Sequence, residues 1–237
     1  MKLMTNSVLV ALAATVLVNT ISISSASAAA CTKGSEGKAA LCVEGATQEG
    51  EVAFTGKGKS STTVLFHTSS MEIKCTSMTD SGVFLASSSG APTQVADRVI
   101  HFTGCTTTFT GCTVQPLTFG EGKAPLSGEV SLSGTEFKWK SFPSTEKNSK
   151  WQFGVLTITG SSCSVGGEHS ITSAPDQANH GPTCTLENAT VEAVEHELAC
   201  TNASEMELLK KELRITSAEE VALSGANSGK KWSFFEG

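Results

Sequence analysis

The chain has 237 residues and a formal net charge of −6, and Arg98 and Arg214 are its only guanidinium groups. An acidic chain without a basic stripe cannot neutralise a run of phosphates, which excludes nucleic acid as a partner and argues equally against an anionic membrane surface. Eight cysteines, three tryptophans and no tyrosine complete the composition, and all eight cysteines lie beyond residue 30.

Residues 1–28 read as a cleaved secretory signal peptide. Lys2 supplies the charge of its first region, residues 8–18 (VLVALAATVLV) form the apolar stretch, and Ala26-Ser27-Ala28 is a small-residue cleavage site. The apolar stretch is shorter than the about 20 residues a membrane span requires, and no second one follows, so the mature chain is expected to carry no span. The alternative is lipid anchoring at Cys31 after a cut behind Ala30. Polar residues separate the apolar stretch from that cut, and lipidation would strand one of the remaining seven cysteines, so a secreted, cell-surface or periplasmic chain without an anchor is favoured.

An even number of cysteines in an exported chain reads as a disulfide framework. Metal binding would call for a tight Cys-x-x-Cys pair, and none occurs. Eight cysteines allow about a hundred connectivities. Joining neighbours where a loop closes locally pairs Cys31 with Cys42, Cys105 with Cys112 and Cys163 with Cys184, which leaves Cys75 for Cys200. Each short-loop bridge contributes about 3 kcal/mol in the chain-entropy account.

Short β-prone segments recur at 64–66 (VLF), 71–75 (MEIKC), 99–102 (VIHF), 129–132 (EVSL) and 137–140 (FKWK), separated by clusters rich in Gly, Ser and Pro. This spacing predicts an all-β, disulfide-stabilised antiparallel β-sandwich or two small β lobes. The polar segment 142–150 (FPSTEKNSK) reads as a linker or long loop between lobes at 29–141 and 151–237, unless the whole is one continuous β domain. Segments 72–77 (EIKCTS) and 197–202 (ELACTN) echo each other around a cysteine. The stretch 151–158 (WQFGVLTI) is the longest apolar strand, buried on both faces if central. One short helix is expected near 204–212, where Ser204 stands three residues before Glu207 and Leu208, Leu209 and Leu213 follow helical spacing.

Catalytic signals are sparse. No Gly-x-Ser-x-Gly elbow occurs, and His67, His101, His169, His180 and His196 are scattered singly. His196-Glu197-Leu198-Ala199-Cys200 has part of the spacing of a zinc protease, with cysteine in the place of the second histidine. The same residues read as well as a strand, where positions four apart lie about 13 Å from each other and cannot chelate one ion. No cofactor and no metal site is therefore expected. Trp139 and Trp151 are expected in the core and Trp232 against the last strand. Asn188-Ala189-Thr190 and Asn202-Ala203-Ser204 match the glycosylation sequon, which has meaning in a eukaryotic host alone.

The opening loop from Cys31 to Cys42, Ile73-x-Cys75, Phe102-Thr103-Gly104-Cys105 with Cys112-Thr113-Val114, and the ending Leu223-Ser224-Gly225 with Ser228-Gly229-Lys230-Lys231-Trp232 resemble exported cysteine-containing β proteins abundant in soil actinobacteria. The resemblance implies an exported all-β fold and brings no catalytic or binding residues with it. The expected function is a non-enzymatic structural or binding protein outside the cell or on its surface, with a protein or glycan partner. One alternative is a secreted hydrolase whose site converges only in space. Another is an inhibitor that presents residues 106–111 on a loop braced by Cys105 and Cys112.

Overall fold

The computed structural model describes residues 31, 39–59, 63–87, 92–120, 124–147, 150–174 and 176–236; the expected signal at 1–28 lies outside them. In chain order the strands are β1 (Ala39–Val43), β2 (Ala46–Thr47), β3 (Gly50–Gly58), β4 (Val64–His67), β5 (Glu72–Ala86), β6 (Gln94–Thr107), β7 (Thr113–Val114), β8 (Leu117–Phe119) and β9 (Leu126–Ser133). There follow β10 (Glu136–Pro143), β11 (Glu146–Lys147), β12 (Lys150–Thr159), β13 (Gly167–Ser173), β14 (Thr183–Glu187), β15 (Glu195–Leu208), β16 (Lys211–Leu223) and β17 (Trp232–Glu236). No α-helix occurs among the described residues.

The all-β class holds, but the sheet closes on itself. Strands β15, β14, β10, β9, β6, β5, β3 and β16 pair in that order, and β16 returns to β15 through partners such as Leu198 and Glu219. The result is a closed eight-stranded antiparallel barrel in place of the expected sandwich. Closure removes the exposed edges that an open sheet leaves for aggregation.

Four long strands, β5, β6, β15 and β16, extend past this ring into a second tier. There β5 pairs with β4, β6 with β8, β15 with β13, and β16 with β4. Strand β12 pairs with β13 and β7, and the seam to β8 is closed by the Gly120 N–H donating to the Phe153 carbonyl at 2.9 Å. The echoed segments around Cys75 and Cys200 thus belong to two of the strands that join the tiers. Both sides of 142–150 build one barrel, β3, β5, β6, β9 and β10 preceding it and β14, β15 and β16 following, and residues 142–147 are the end of β10, a bend and β11.

Inward positions alternate with outward ones along the barrel strands. Val52 and Phe54, Met78 and Phe84, Phe137 and Trp139, and Val221 and Leu223 are buried, while Lys74, Thr79, His101 and Glu220 face out. An apolar inside with a polar outside is the reverse of the alternation of a membrane barrel. No described helix is long and apolar enough to cross a membrane. A small sheet of β17, β1 and β2 covers the mouth of the first tier, where the Trp232 and Phe234 rings meet Phe84 at 5.6 Å each.

Two local expectations give way to sheet geometry. The segment expected as a helix near 204–212 is the hairpin between β15 and β16. Leu209 and Lys210 have φ of 54° and 59°, the left-handed pair of a tight hairpin turn, and Met206, Leu208, Leu213 and Ile215 alternate into the core. Trp151 is only half-buried, because a bulge between Gln152 and Gly154 changes the phase of β12 and turns Gln152 and Phe153 inward. Trp139 and Trp232 are fully buried.

The disulfides are Cys31–Cys42, Cys75–Cys105, Cys112–Cys163 and Cys184–Cys200. The expected pairs Cys105–Cys112, Cys163–Cys184 and Cys75–Cys200 do not form. Strand register decides: Cys75 stands directly opposite Cys105 on β5 and β6, and the Thr185–Ala199 pair sets Cys184 opposite Cys200. Residues 106–111 consequently do not form a loop closed by its own bridge.

Candidate functional site

The most unusual chemistry lies inside the barrel, where the tiers meet. Asp97 on β6 adopts φ of 52°, in register with a shift against both β5 and β9, and this bulge re-aims the following residue. Arg98 therefore points inward with Ile100 and Phe102, while Asp97 stays exposed. Asp80 on β5 and Glu219 on β16 face it, and the three side chains are 5%, 0% and 3% exposed.

Arg98 Nε and Nη2 donate to Asp80 Oδ2 at 2.8 and 2.6 Å, Nη2 also donates to Glu219 Oε1 at 2.7 Å, and Nη1 donates to Ser141 Oγ. The guanidinium carbon lies 4.6 Å from the centre of the Trp139 ring, a cation–π contact in a desolvated setting. Burial, opposed by Arg98, raises the Asp80 carboxyl above its ordinary range. Burial and the neighbouring Asp80 hold Glu219 well above its own. Burial works against the Arg98 charge, yet the two acids outweigh it and keep the guanidinium protonated.

A cavity of about 30 Å³ adjoins the cluster, walled by Ser141, Ser217, Glu219, Phe119, Phe153 and Pro182. It has room for water but not for an organic ligand, whose sites run to about 300–1,000 Å³. Gly56 on β3 packs directly against the two acids: a Cβ there would stand 3.0 Å from Asp80 Cβ and 3.0 Å from Glu219 Oε2.

The five histidines do not converge. His101 Nδ1 meets Thr118 Oγ1 at 3.0 Å, and His169 Nε2 meets the Val165 carbonyl at 2.9 Å. His180 lies 3.9 Å from Glu205, which also accepts from the Gly181 N–H and pairs with Lys140. His196 is buried, hydrogen-bonded to the Trp232 carbonyl at 2.7 Å and stacked edge-on to its ring; burial lowers its pKa. The segment that resembled a zinc motif is strand β15. His196 points inward, Glu197 pairs outside with Lys59, and Cys200 is held in a disulfide and is no thiolate ligand. Among the described residues no group of three or more His, Cys, Asp or Glu is placed to hold a metal ion. Asn188 and Asn202 are exposed with left-handed backbone, the first in the turn after β14 and the second at a register shift within β15.

The outer surface carries an open groove at the far end of the second tier. His67, Thr68, Ser69, Lys211, Glu212 and Arg214 line about 400 Å³ of it, and the same three residues of the β4 end continue into a second hollow beside Ser70, Glu72 and Thr108. Sheet register sets His67 between Arg214 and Glu72, and its buried Nδ1 has no hydrogen-bond partner among the described residues. Lys211 Nζ donates to Ser70 Oγ at 2.8 Å, and Arg214 pairs with Glu212 at 2.9 Å. The groove presents hydroxyls and both signs of charge, with no aromatic platform among the residues named.

No known protein family matches the chain, and no curated protein or solved structure resembles it significantly.

The interior charge cluster escaped sequence reading, although a signal was there. Asp80, Arg98 and Glu219 each stand in phase with buried apolar neighbours, as in Ser217-x-Glu219-x-Val221-x-Leu223. A charged residue in the inward phase of a strand is the mark of a buried pair.

Proposed function

We propose that this chain is an exported, disulfide-braced β-barrel that acts by binding a polar partner, protein or glycan, on its outer surface, without catalysis. The filled interior carries the reading. Trp139, Trp232, Phe54 and Phe84 occupy the barrel where a carrier protein would keep its ligand cavity, so recognition falls to the exterior. Four disulfides fit an oxidising compartment such as the cell exterior. The groove beside His67 is the surface best suited to a partner, since Lys211, Arg214, Thr68 and Ser69 offer donors and acceptors to polar groups. The chain would then stand with the exported cysteine-containing β proteins that its turn and cysteine pattern resembles.

Binding of the purified protein to cell-envelope preparations tests this. Preparations left intact, digested with protease, or oxidised with periodate separate a protein partner from a glycan. The expected result is saturable binding that one of the two treatments abolishes and that Lys211→Ala with Arg214→Ala weakens about tenfold or more, as loss of charged contacts does. Binding indifferent to both substitutions would contradict the groove. Turnover of ester, peptide or glycoside substrates would favour a hydrolase instead.

A further inference from the structure

The two acids inside the barrel face one cation. Strand β5 contributes Asp80, β6 Arg98 and β16 Glu219; β3 presents Gly56, β10 presents Ser141, and β14 and β15 present the Cys184–Cys200 bridge. Among the described residues the other buried titratable side chain of the first tier, His196, is set apart from Arg98 by the touching rings of Trp232, Phe84 and Trp139. With both acids ionised the core would hold an uncompensated negative charge, which burial penalises heavily.

Hydrogen bonding points the same way. Asp80 Oδ2 accepts two guanidinium N–H groups, whereas Glu219 accepts one, through Oε1. The remaining oxygens, Asp80 Oδ1 and Glu219 Oε2, are buried and unpartnered among the described residues, and the two carboxyl groups converge on one nitrogen, Arg98 Nη2, at 2.6 and 2.7 Å. Two bare carboxylate oxygens in that position repel. A proton on one converts both into the donor and acceptor of a single bond.

We propose that the barrel core is a binding site for one proton, carried on Glu219 and donated to Asp80, with water in the adjoining cavity, and that folding is therefore favoured by acid. Asp80, with two charge-assisted bonds from Arg98, keeps its charge and balances the guanidinium. The 30 Å³ cavity exceeds the about 10–15 Å³ that a single water needs, and Ser141, Ser217 and Glu219 supply its partners. The consequence for stability has a definite sign. Glu219 is raised in the folded state, so its contribution is complete below the unfolded carboxyl range and is lost as pH rises through the folded value. This runs against ordinary acid denaturation, in which paired carboxylates are lost on protonation.

Urea unfolding of the wild type and Glu219→Gln, followed from about pH 5 to pH 9, isolates the effect. The glutamine amide keeps an N–H toward Asp80 and a carbonyl toward Arg98 but has no proton to lose. The ratio of wild-type to variant folding constants is expected to fall with rising pH, by up to about tenfold per unit where the resident proton titrates. A ratio that is flat or rises with pH overturns the proposal. Infrared spectroscopy of the folded wild type at neutral pH gives a second reading that needs no variant. It should show the carbonyl stretch of a protonated carboxylic acid, and its absence overturns the proposal even if Glu219→Gln fails to fold.

Discussion

Arg98→Met is expected to destabilise the fold by about 3–5 kcal/mol at neutral pH, the range for removing one partner of a buried ion pair. The methionine fills much of the space but leaves Asp80 and Glu219 with no cation among the groups that face them. Against a total stability of about 5–15 kcal/mol, this is enough to unfold a marginal domain. Two further outcomes separate charge from packing. The loss should shrink toward acidic pH, where both acids can protonate, and Arg98→Met with Asp80→Asn should recover part of it by removing the buried charge left without its cation. Urea midpoints of the single and double variants check this; equal losses at every pH would mean that Arg98 acts through volume alone.

Trp139→Ala is expected to have an effect of the same order, about 3–5 kcal/mol, for a different reason. Trp139 is fully buried and packs against Phe54 and Phe84 with ring centres 5.2 and 5.3 Å away. Its removal opens a cavity among rigid aromatic neighbours and ends the contact with Arg98. Trp139→Phe should lose far less, because a ring remains and because the indole Nε1, buried without a partner among the described residues, goes with the tryptophan. Thermal unfolding followed by near-ultraviolet circular dichroism would rank the three proteins. A phenylalanine variant as unstable as the alanine one would contradict the account of that packing.

The strand content of the fold was legible because alternation is a local property. Segments 129–132 and 137–140, read from sequence as strands, lie within β9 and β10. Closure into a barrel was not legible, since Leu198 opposite Glu219 and Phe54 opposite Gly82 are non-local pairs, and inward–outward alternation is the same in a sandwich. The helix expected near 204–212 shows how short apolar runs mislead. Leu208, Leu209 and Leu213 suit a helical face, but the left-handed turn at Leu209 and Lys210 splits them between two strands. The interior site depended on a further step, the bulge at Asp97 that changes the phase of β6 between Val95 and Arg98 and turns Arg98 inward.

Cysteine pairing failed on the same ground. Proximity along the chain favours Cys105 with Cys112, seven residues apart, yet Cys105 belongs to β6 and is fixed opposite Cys75 by the β5–β6 ladder. Cys112 then reaches Cys163, and that bridge joins the segment before β7 to the turn after β12 across a separation of 51 residues. The pairing is thus a record of the barrel's topology, readable without a structure.

Peptide mapping of the purified protein under non-reducing conditions therefore tests the two-tier closed barrel most directly. The architecture predicts no free thiol and the linked peptides Cys75–Cys105, Cys112–Cys163 and Cys184–Cys200 beside Cys31–Cys42. Recovery of Cys105 joined to Cys112, or of Cys163 joined to Cys184, would contradict it.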